Sequence, residues 1–173
     1  AGRLSSFVTE VGADTTGLGR WSWVYAGGGG KFTRLIVAYQ PCDPRSQRVR
    51  GDSVWAQHAG YFEARGEVRN PRVMFHADLI SLLRQWKAAG DEILLMGDFN
   101  ENVYTGPLSG SLSADDLRMT ELCQHITGDR LPATHSRGRT PIDAIYGTAG
   151  IQGAAVALLS CNEGIGDHRV FVL

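Results

Sequence analysis

Short apolar runs alternate with polar turns along this chain, and their spacing predicts its elements in order. Arg3 to Val11 alternates loosely and ends at Gly12, which predicts a strand. A second strand covers Arg20 to Tyr25, with Trp21 and Trp23 on one face and Ser22 and Val24 on the other. Gly27 to Gly30 reads as a turn, and Lys31 to Tyr39 as a third strand hairpinned to the second. Pro41 stops that strand. After the polar stretch Asp43 to Asp52, Asp52 or Ser53 can cap a helix carrying Val54, Trp55, His58, Tyr61 and Phe62 on one side. His58 reads there as a core-edge histidine rather than a ligand. A second helix starts near Pro71, which suits a first-turn position. It carries Phe75, Leu79, Leu82, Leu83 and Trp86 at helical spacing and stops at Gly90.

The next strand, Glu92 to Met96, is apolar from Ile93 onward, which predicts burial on both faces. It turns polar within two residues, at Gly97-Asp98-Phe99-Asn100-Glu101. Gly97 lets the backbone turn or approach a ligand closely. Asp98 and Asn100 alternate, so in extended backbone both side chains leave on the same side. A carboxylate and a carboxamide at the mouth of a buried strand suit a cation, a water or a phosphate. The same residues also make an ordinary strand-to-turn exit. Thr105 to Ser113, rich in Gly, Ser and Pro, reads as a loop. Ser113-Ala114-Asp115-Asp116 resembles a capping box opening a helix with Met119, Leu122, Cys123 and Ile126 on one face, ended by Gly128. Ile142 to Tyr146, Gly153 to Cys161 and Arg169 to Leu173 complete the chain as short strands. Helices interleaved with locally paired strands predict layered α/β structure with mixed sheets.

A length of 173 residues predicts one domain over 1–173. Seventeen basic residues against eighteen acidic ones leave a net charge of -1, which argues against a broad basic face but allows a local basic patch. Cys42, Cys123 and Cys161 are odd in number and far apart, so a disulfide framework or zinc site is not expected, and an intracellular compartment, nuclear or cytoplasmic, fits. No apolar run approaches the roughly 18 residues of a membrane-spanning helix. The glycine run fails as a phosphate loop: Tyr25 stands where its first glycine belongs, and Phe32 follows Lys31 where Ser or Thr is required. The chain opens on Ala1 and reads as starting inside a longer protein with further domains.

Three more polar clusters sit at strand ends: Tyr39-Gln40-Pro41, Thr140-Pro141-Ile142-Asp143 and Gly166-Asp167-His168. Each alone is weak, since such residues are common in turns and on surfaces. In this order, together with Gly97-Asp98-Phe99-Asn100, they resemble the signatures of the endonuclease/exonuclease/phosphatase superfamily. The resemblance runs from Gly19-Arg20 to Leu173. The segment from Gln57 through Trp86 to Asn100 further resembles divergent members carried by mobile elements.

The resemblance implies a four-layer α/β/β/α sandwich and Mg²⁺- or Mn²⁺-dependent cleavage of phosphoester bonds, endonuclease-type, on nucleic acid, with DNA favoured over RNA. It gives Asp98 the role of orienting and deprotonating the attacking water. Asn100 partners it at the phosphate or metal shell. His168 is placed at the scissile phosphate, Asp143 on its other ring nitrogen, Asp167 as a metal or metal-water ligand, and Tyr39 as a phenol near the phosphate. Oxygen ligands suit such hard cations. Arg137 and Arg139 could contact a nucleic-acid backbone or form a solvated loop, and Thr134 and His135 are equally open. The family's two leading strands, one ending in a phosphate-binding Asn and one carrying a metal-binding Glu, have no counterpart. The domain is thus expected to be N-terminally incomplete and, alone, weak or inactive. Within the family, a phosphatase or phospholipid diesterase is the alternative. Outside it, a non-catalytic remnant or binding module is.

Overall fold

The periodicities resolve into strands and helices over residues 6–28, 30–44, 51–151, 155–164 and 166–172, which the computed structural model describes. In chain order they are β1 (Val8–Ala13), β2 (Trp21–Gly28), β3 (Lys31–Tyr39), α1 (Val54–Glu63), α2 (Pro71–Ala88), β4 (Glu92–Asp98), α3 (Pro107–Ser113), β5 (Thr120–Glu121), α4 (Leu122–Thr127), β6 (Asp143–Gly147), β7 (Ala157–Leu158) and β8 (Phe171–Val172). Six strands form one mixed sheet in the order β1-β2-β3-β4-β6-β5, and β7 pairs with β8 separately. Among the described residues only β3 and β4 pair in parallel. The chain between them returns through α1 and α2, the long crossover that a parallel pair needs.

The tryptophan face of β2 is what seats α2 on the sheet. Trp21 meets Phe75 edge-on at 5.9 Å, and Trp23 meets Trp86 at 5.4 Å. Ile36, Ile93 and Leu95 of the sheet are fully buried with Phe75, Leu79 and Leu83 of the helix. Ser53 caps α1 by accepting from Ala56 N. His58 is buried and 3.2 Å from the Leu18 carbonyl, a satisfied histidine at the core's edge. Arg20, also buried, ties the first hairpin to α2 by pairing with Asp14 at 2.7 Å and Asp78 at 2.6 Å.

The opposite face of the sheet differs from expectation. Val37 is 54% exposed and Leu94 and Met96 are half-buried, so β4 is buried on one face only. The β7–β8 pair is too short to cover that face. Leu158 and Phe171 pack against the core, while Val37, Met96, Ala144, Ile145 and Phe171 line an open apolar cleft. The helices and two sheets form an α/β structure with mixed strand pairing.

Local boundaries shift for identifiable reasons. Gly27 and Gly28, read as part of the turn, extend β2 and pair with Phe32 and Lys31, and Gly30 stands at φ 82°. The stretch read as a loop from Thr105 contains α3. Pro107 opens it, Leu108 and Leu112 bury one side, and the carboxylate of Glu101 accepts from Leu108 N at 2.8 Å. A remote cap and two leucines thus override poor helix propensity. The expected capping box at Ser113 is a turn instead, with Arg118 at φ 49°. Helix α4 begins only at Leu122, where the carboxylate of Glu121 accepts from Cys123 N and Gln124 N, and it ends at Gly128 as read. The last strands are shorter than expected. Gly153 and Leu173, with Arg3 at the start, lie outside the described residues.

Gly97 lies within β4 rather than at a turn, and its missing side chain serves the neighbouring strand. A Cβ there would sit 1.9 Å from the Ala38 carbonyl oxygen. Gly97→Ala is therefore expected to destabilise the fold by about 3 kcal/mol or more, since overpacking against backbone has no flexible atom to yield. Chemical denaturation measures this, and an unchanged midpoint would mean that β3 does not press on Gly97.

Candidate active site

Backbone register brings the first three residues together. Tyr39 of β3 pairs with Asp98 of β4, and Asp98 pairs with Asp143 of β6. They stand side by side across three adjacent strands at one end of the sheet. Asp98, Asp143 and His168 each place one potential ligand atom within 4.8 Å of the others. His168 arrives from the C-terminal loop, and its Nδ1 lies 3.0 and 3.2 Å from the two carboxylate oxygens of Asp143.

The turn after β4 is shaped by its own side chains. Asp98 Oδ1 accepts from Asn100 N at 2.9 Å, and Asn100 adopts φ 47°. The extended alternation expected for these two residues therefore breaks at Asn100. Its amide still meets Asp98, donating to Oδ2 at 3.3 Å and to the Gln40 carbonyl at 2.8 Å. Asn tolerates this left-handed conformation better than most residues.

Beneath the turn lies a buried network that sequence reading missed. Gln40 is fully buried and donates to the Phe99 carbonyl and to Glu101 at 3.1 Å. Glu101 also takes Arg72 at 2.9 Å, and Arg72 reaches the Asn100 carbonyl at 3.1 Å. One carboxylate thus fixes the active-site turn and the start of α3. Gln40 lies inside the Tyr39-Gln40-Pro41 motif, but nothing in its spacing singles it out.

Thr134 and His135 also find roles. Thr134 is buried, and its hydroxyl accepts from Ile142 N at 2.9 Å and Asp143 N at 3.0 Å, which fixes the entry into β6. Its carbonyl accepts from Arg169 N at 2.7 Å, and His135 forms a backbone bridge with His168. The two loops are zipped together. His135, Asp167 and His168 make a second group of potential ligands within 4.8 Å, so His168 belongs to both groups and Asp167 to the outer one. Arg137 lies 3.4 Å from Asp167, and Arg137 and Arg139 are both exposed.

The electrostatics follow from this crowding. Burial and the neighbouring charge of Asp143 push the Asp98 carboxyl up to about 6, against the opposing hydrogen bond from Asn100. Burial acts to lower the basicity of His168. The hydrogen bond and charge of Asp143, with Asp98 and Asp167 nearby, outweigh it, and the ring is more basic than usual. Burial and the Asp98 charge raise Tyr39, against a hydrogen bond with Asn100.

No protein-family model and no curated protein matches the sequence. Solved structures do match the fold. A 3′ phosphatase from Neisseria, bound to a product DNA hairpin, is 16% identical with a TM-score of 0.64, over 94% of this chain and 68% of that one. An AP endonuclease from Archaeoglobus fulgidus is 12% identical with a TM-score of 0.55, over 96% and 72%. Truncated TDP2 from Caenorhabditis elegans is 12% identical with a TM-score of 0.51, over 88% and 57%. The chain thus spans between about half and three-quarters of the length of these structures. With the strand order described above, the chain shares the fold of these three structures.

Proposed function

We propose that the chain is part of a metal-dependent phosphodiesterase acting on DNA. The observation that carries this reading is the row Tyr39–Asp98–Asp143 with His168 seated on Asp143. Hydrolysis of a phosphodiester needs a deprotonated water, relief of charge on the phosphoryl oxygens and a stabilised leaving oxygen. Asp98, half-buried and poised near neutrality, is placed to take the proton from water. Asp143 holds the Nδ1 side of His168, leaving Nε2 to face a phosphate, and the raised basicity of the ring favours the positive form there. Tyr39 would donate to a phosphate oxygen, whereas Asn100, whose two amide N–H groups go to Gln40 and Asp98, keeps its Oδ1 for a cation. Arg137, beside Asp167, and the exposed Arg139 two positions along the same loop suit a nucleic-acid backbone. DNA is the substance held or processed by the Neisseria neighbour, which agrees in fold.

The donor set fits a hard cation. Asp98 has no Arg or Lys partner among its described contacts, and a second carboxylate lies beside it. Asp98 and Asn100 would hold Mg²⁺ or Mn²⁺ at the strand end, and Asp167, which belongs to the outer group, would reach the ion directly or through a metal-bound water. Bound there, such an ion would withdraw charge from the phosphoryl group and acidify a water. A second reading rests on the apolar cleft of Val37, Met96, Ile145 and Phe171 beside Asp98 and Asp143, which would suit a phospholipid diester.

With Mn²⁺ and an abasic or nicked duplex, the chain should cleave slowly, and EDTA or Asp98→Asn should abolish it. Brisk turnover would contradict the expected weakness of this chain alone, and cleavage indifferent to both would sink the active-site reading. Faster release from phospholipid vesicles than from DNA would favour the second reading.

Asp98 also generates a stability prediction. Its folded value of about 6 exceeds the ordinary 3.8, so its contribution is full below pH ~4 and is lost as pH rises through about 6. Without metal, Asp98→Asn should therefore stabilise the chain at pH 8 by up to about 3 kcal/mol, and not at pH 4. Equal denaturation midpoints for both proteins at pH 8 would refute a costly buried charge.

His168 titrates in the opposite chemical sense but with the same sign. Its pairing with Asp143 adds stability below the ordinary histidine value and loses it as pH rises through the raised folded value. In the metal-free chain, the His168 ring should titrate above an exposed histidine, and Asp143→Asn should lower that midpoint. NMR of the ring signals tests this, and an unchanged midpoint would remove Asp143 as the cause.

A further inference from the structure

Beside the Asp143–His168 pair lies a second Asp–His contact. His135 Nε2 is 3.1 Å from Asp167 Oδ2, and the His135 ring meets the His168 ring edge-on at 4.8 Å. The other ring nitrogen decides what the pair can do. His135 Nδ1 accepts the backbone N–H of Arg137 at 3.1 Å. In the neutral ring the proton therefore sits on Nε2 and is donated to Asp167. Coordination of a metal through Nε2 would need the lone pair there and the proton on Nδ1, facing another donor. His135 is thus unsuited to ligate through this nitrogen, although His135, Asp167 and His168 are close enough to enclose an ion.

We infer that His135 is a positioning residue that clamps the carboxylate of Asp167. The inference rests on the reading of Asp167 as a cation ligand. The clamp is braced by backbone: Ser136 N donates to the Asp167 carbonyl at 2.8 Å, and His135 bridges His168. Arg137 shares the same Asp167 oxygen at 3.4 Å, but its side chain is 84% exposed and the pair is weak. A DNA phosphate can draw Arg137 away. His135, with a side chain 23% exposed, keeps Asp167 in place when that happens. Oδ1 of Asp167, 4.0 Å from His168 Nε2, stays turned toward the site.

Mn²⁺ affinity, measured on the full chain by calorimetry, tests the clamp. His135→Ala should weaken binding by about 10–100-fold, the usual loss on removing an outer-shell partner. His135→Gln, whose amide N–H can replace the ring N–H, should restore most of it, and Arg137→Ala should not weaken it. Wild-type affinity in His135→Ala, or equal weakness in His135→Ala and His135→Gln, would overturn the inference. A wild-type chain that binds no Mn²⁺ would instead defeat the metal-dependent reading. The metal-free chain then still decides on the clamp through ¹⁵N NMR of the rings. A proton on His135 Nε2, with a signal that moves in Asp167→Ala, upholds it, and a proton on Nδ1 overturns it.

Discussion

Two carboxylates are forced together at the end of the sheet by backbone register. Asp98 and Asp143 are partners across β4 and β6, so neither can move apart without breaking the ladder. Like charges in such a place are costly, and each is answered differently. Asp143 is answered by the ring of His168. Asp98 is answered by hydrogen bonds from Asn100 and, more weakly, by the nearby rings of His168 and His135; burial and the charge of Asp143 win, and its carboxyl rises to about 6. An uncompensated carboxylate beside a compensated one is a demand for positive charge, and a divalent cation meets it with least rearrangement. The same pairing makes the site a source of instability, as functional sites commonly are.

The scaffold holds this arrangement from below and from the side. Gly97 lets β3 lie close enough that Tyr39 completes the row. Gln40, Glu101 and Arg72 fix the turn, and Glu101 also caps α3. Thr134 fixes the backbone of Asp143 while its carbonyl holds Arg169, beside His168. Each of these residues touches the backbone next to an active-site residue rather than the space a substrate would fill. They set angles and distances, which is where the precision of such sites resides.

The strands and the two long helices were readable because their apolar spacing is regular. Trp21 and Trp23, and Phe75 through Trp86, lie on the expected faces. Residues at strand ends were readable because acid, amide and imidazole recur there in a family order. What escaped reading depends on contacts distant in sequence. Helix α3 exists because Glu101 and two buried leucines outweigh serine and glycine. Gln40 is recruited by a carboxylate sixty-one positions away, and no local pattern encodes that. The double burial expected of β4 failed for a similar reason: an apolar strand does not reveal how much sheet lies over it.

Net charge illustrates the same limit and bears on substrate class. A value of -1 gives no sign of a phosphate-binding face. Yet several arginines are committed to internal pairs: Arg20 to Asp14 and Asp78, Arg34 to Asp91, and Arg72 to Glu101. Charges neutralised in this way contribute little field at the surface. What reaches solvent near the site is the exposed pair Arg137 and Arg139, on the loop that also carries His135. A near-neutral total therefore says little about the local charge at this end of the sheet. The apolar cleft lies on the other side of Asp98, along the uncovered sheet face. Arg169 lines that cleft together with Asp98 and Asp143, so positive charge stands on the apolar side as well. Nε2 of His168, on the ring edge that Asp143 leaves free, lies 4.0 Å from Asp167 Oδ1, so the ring stands between two carboxylates.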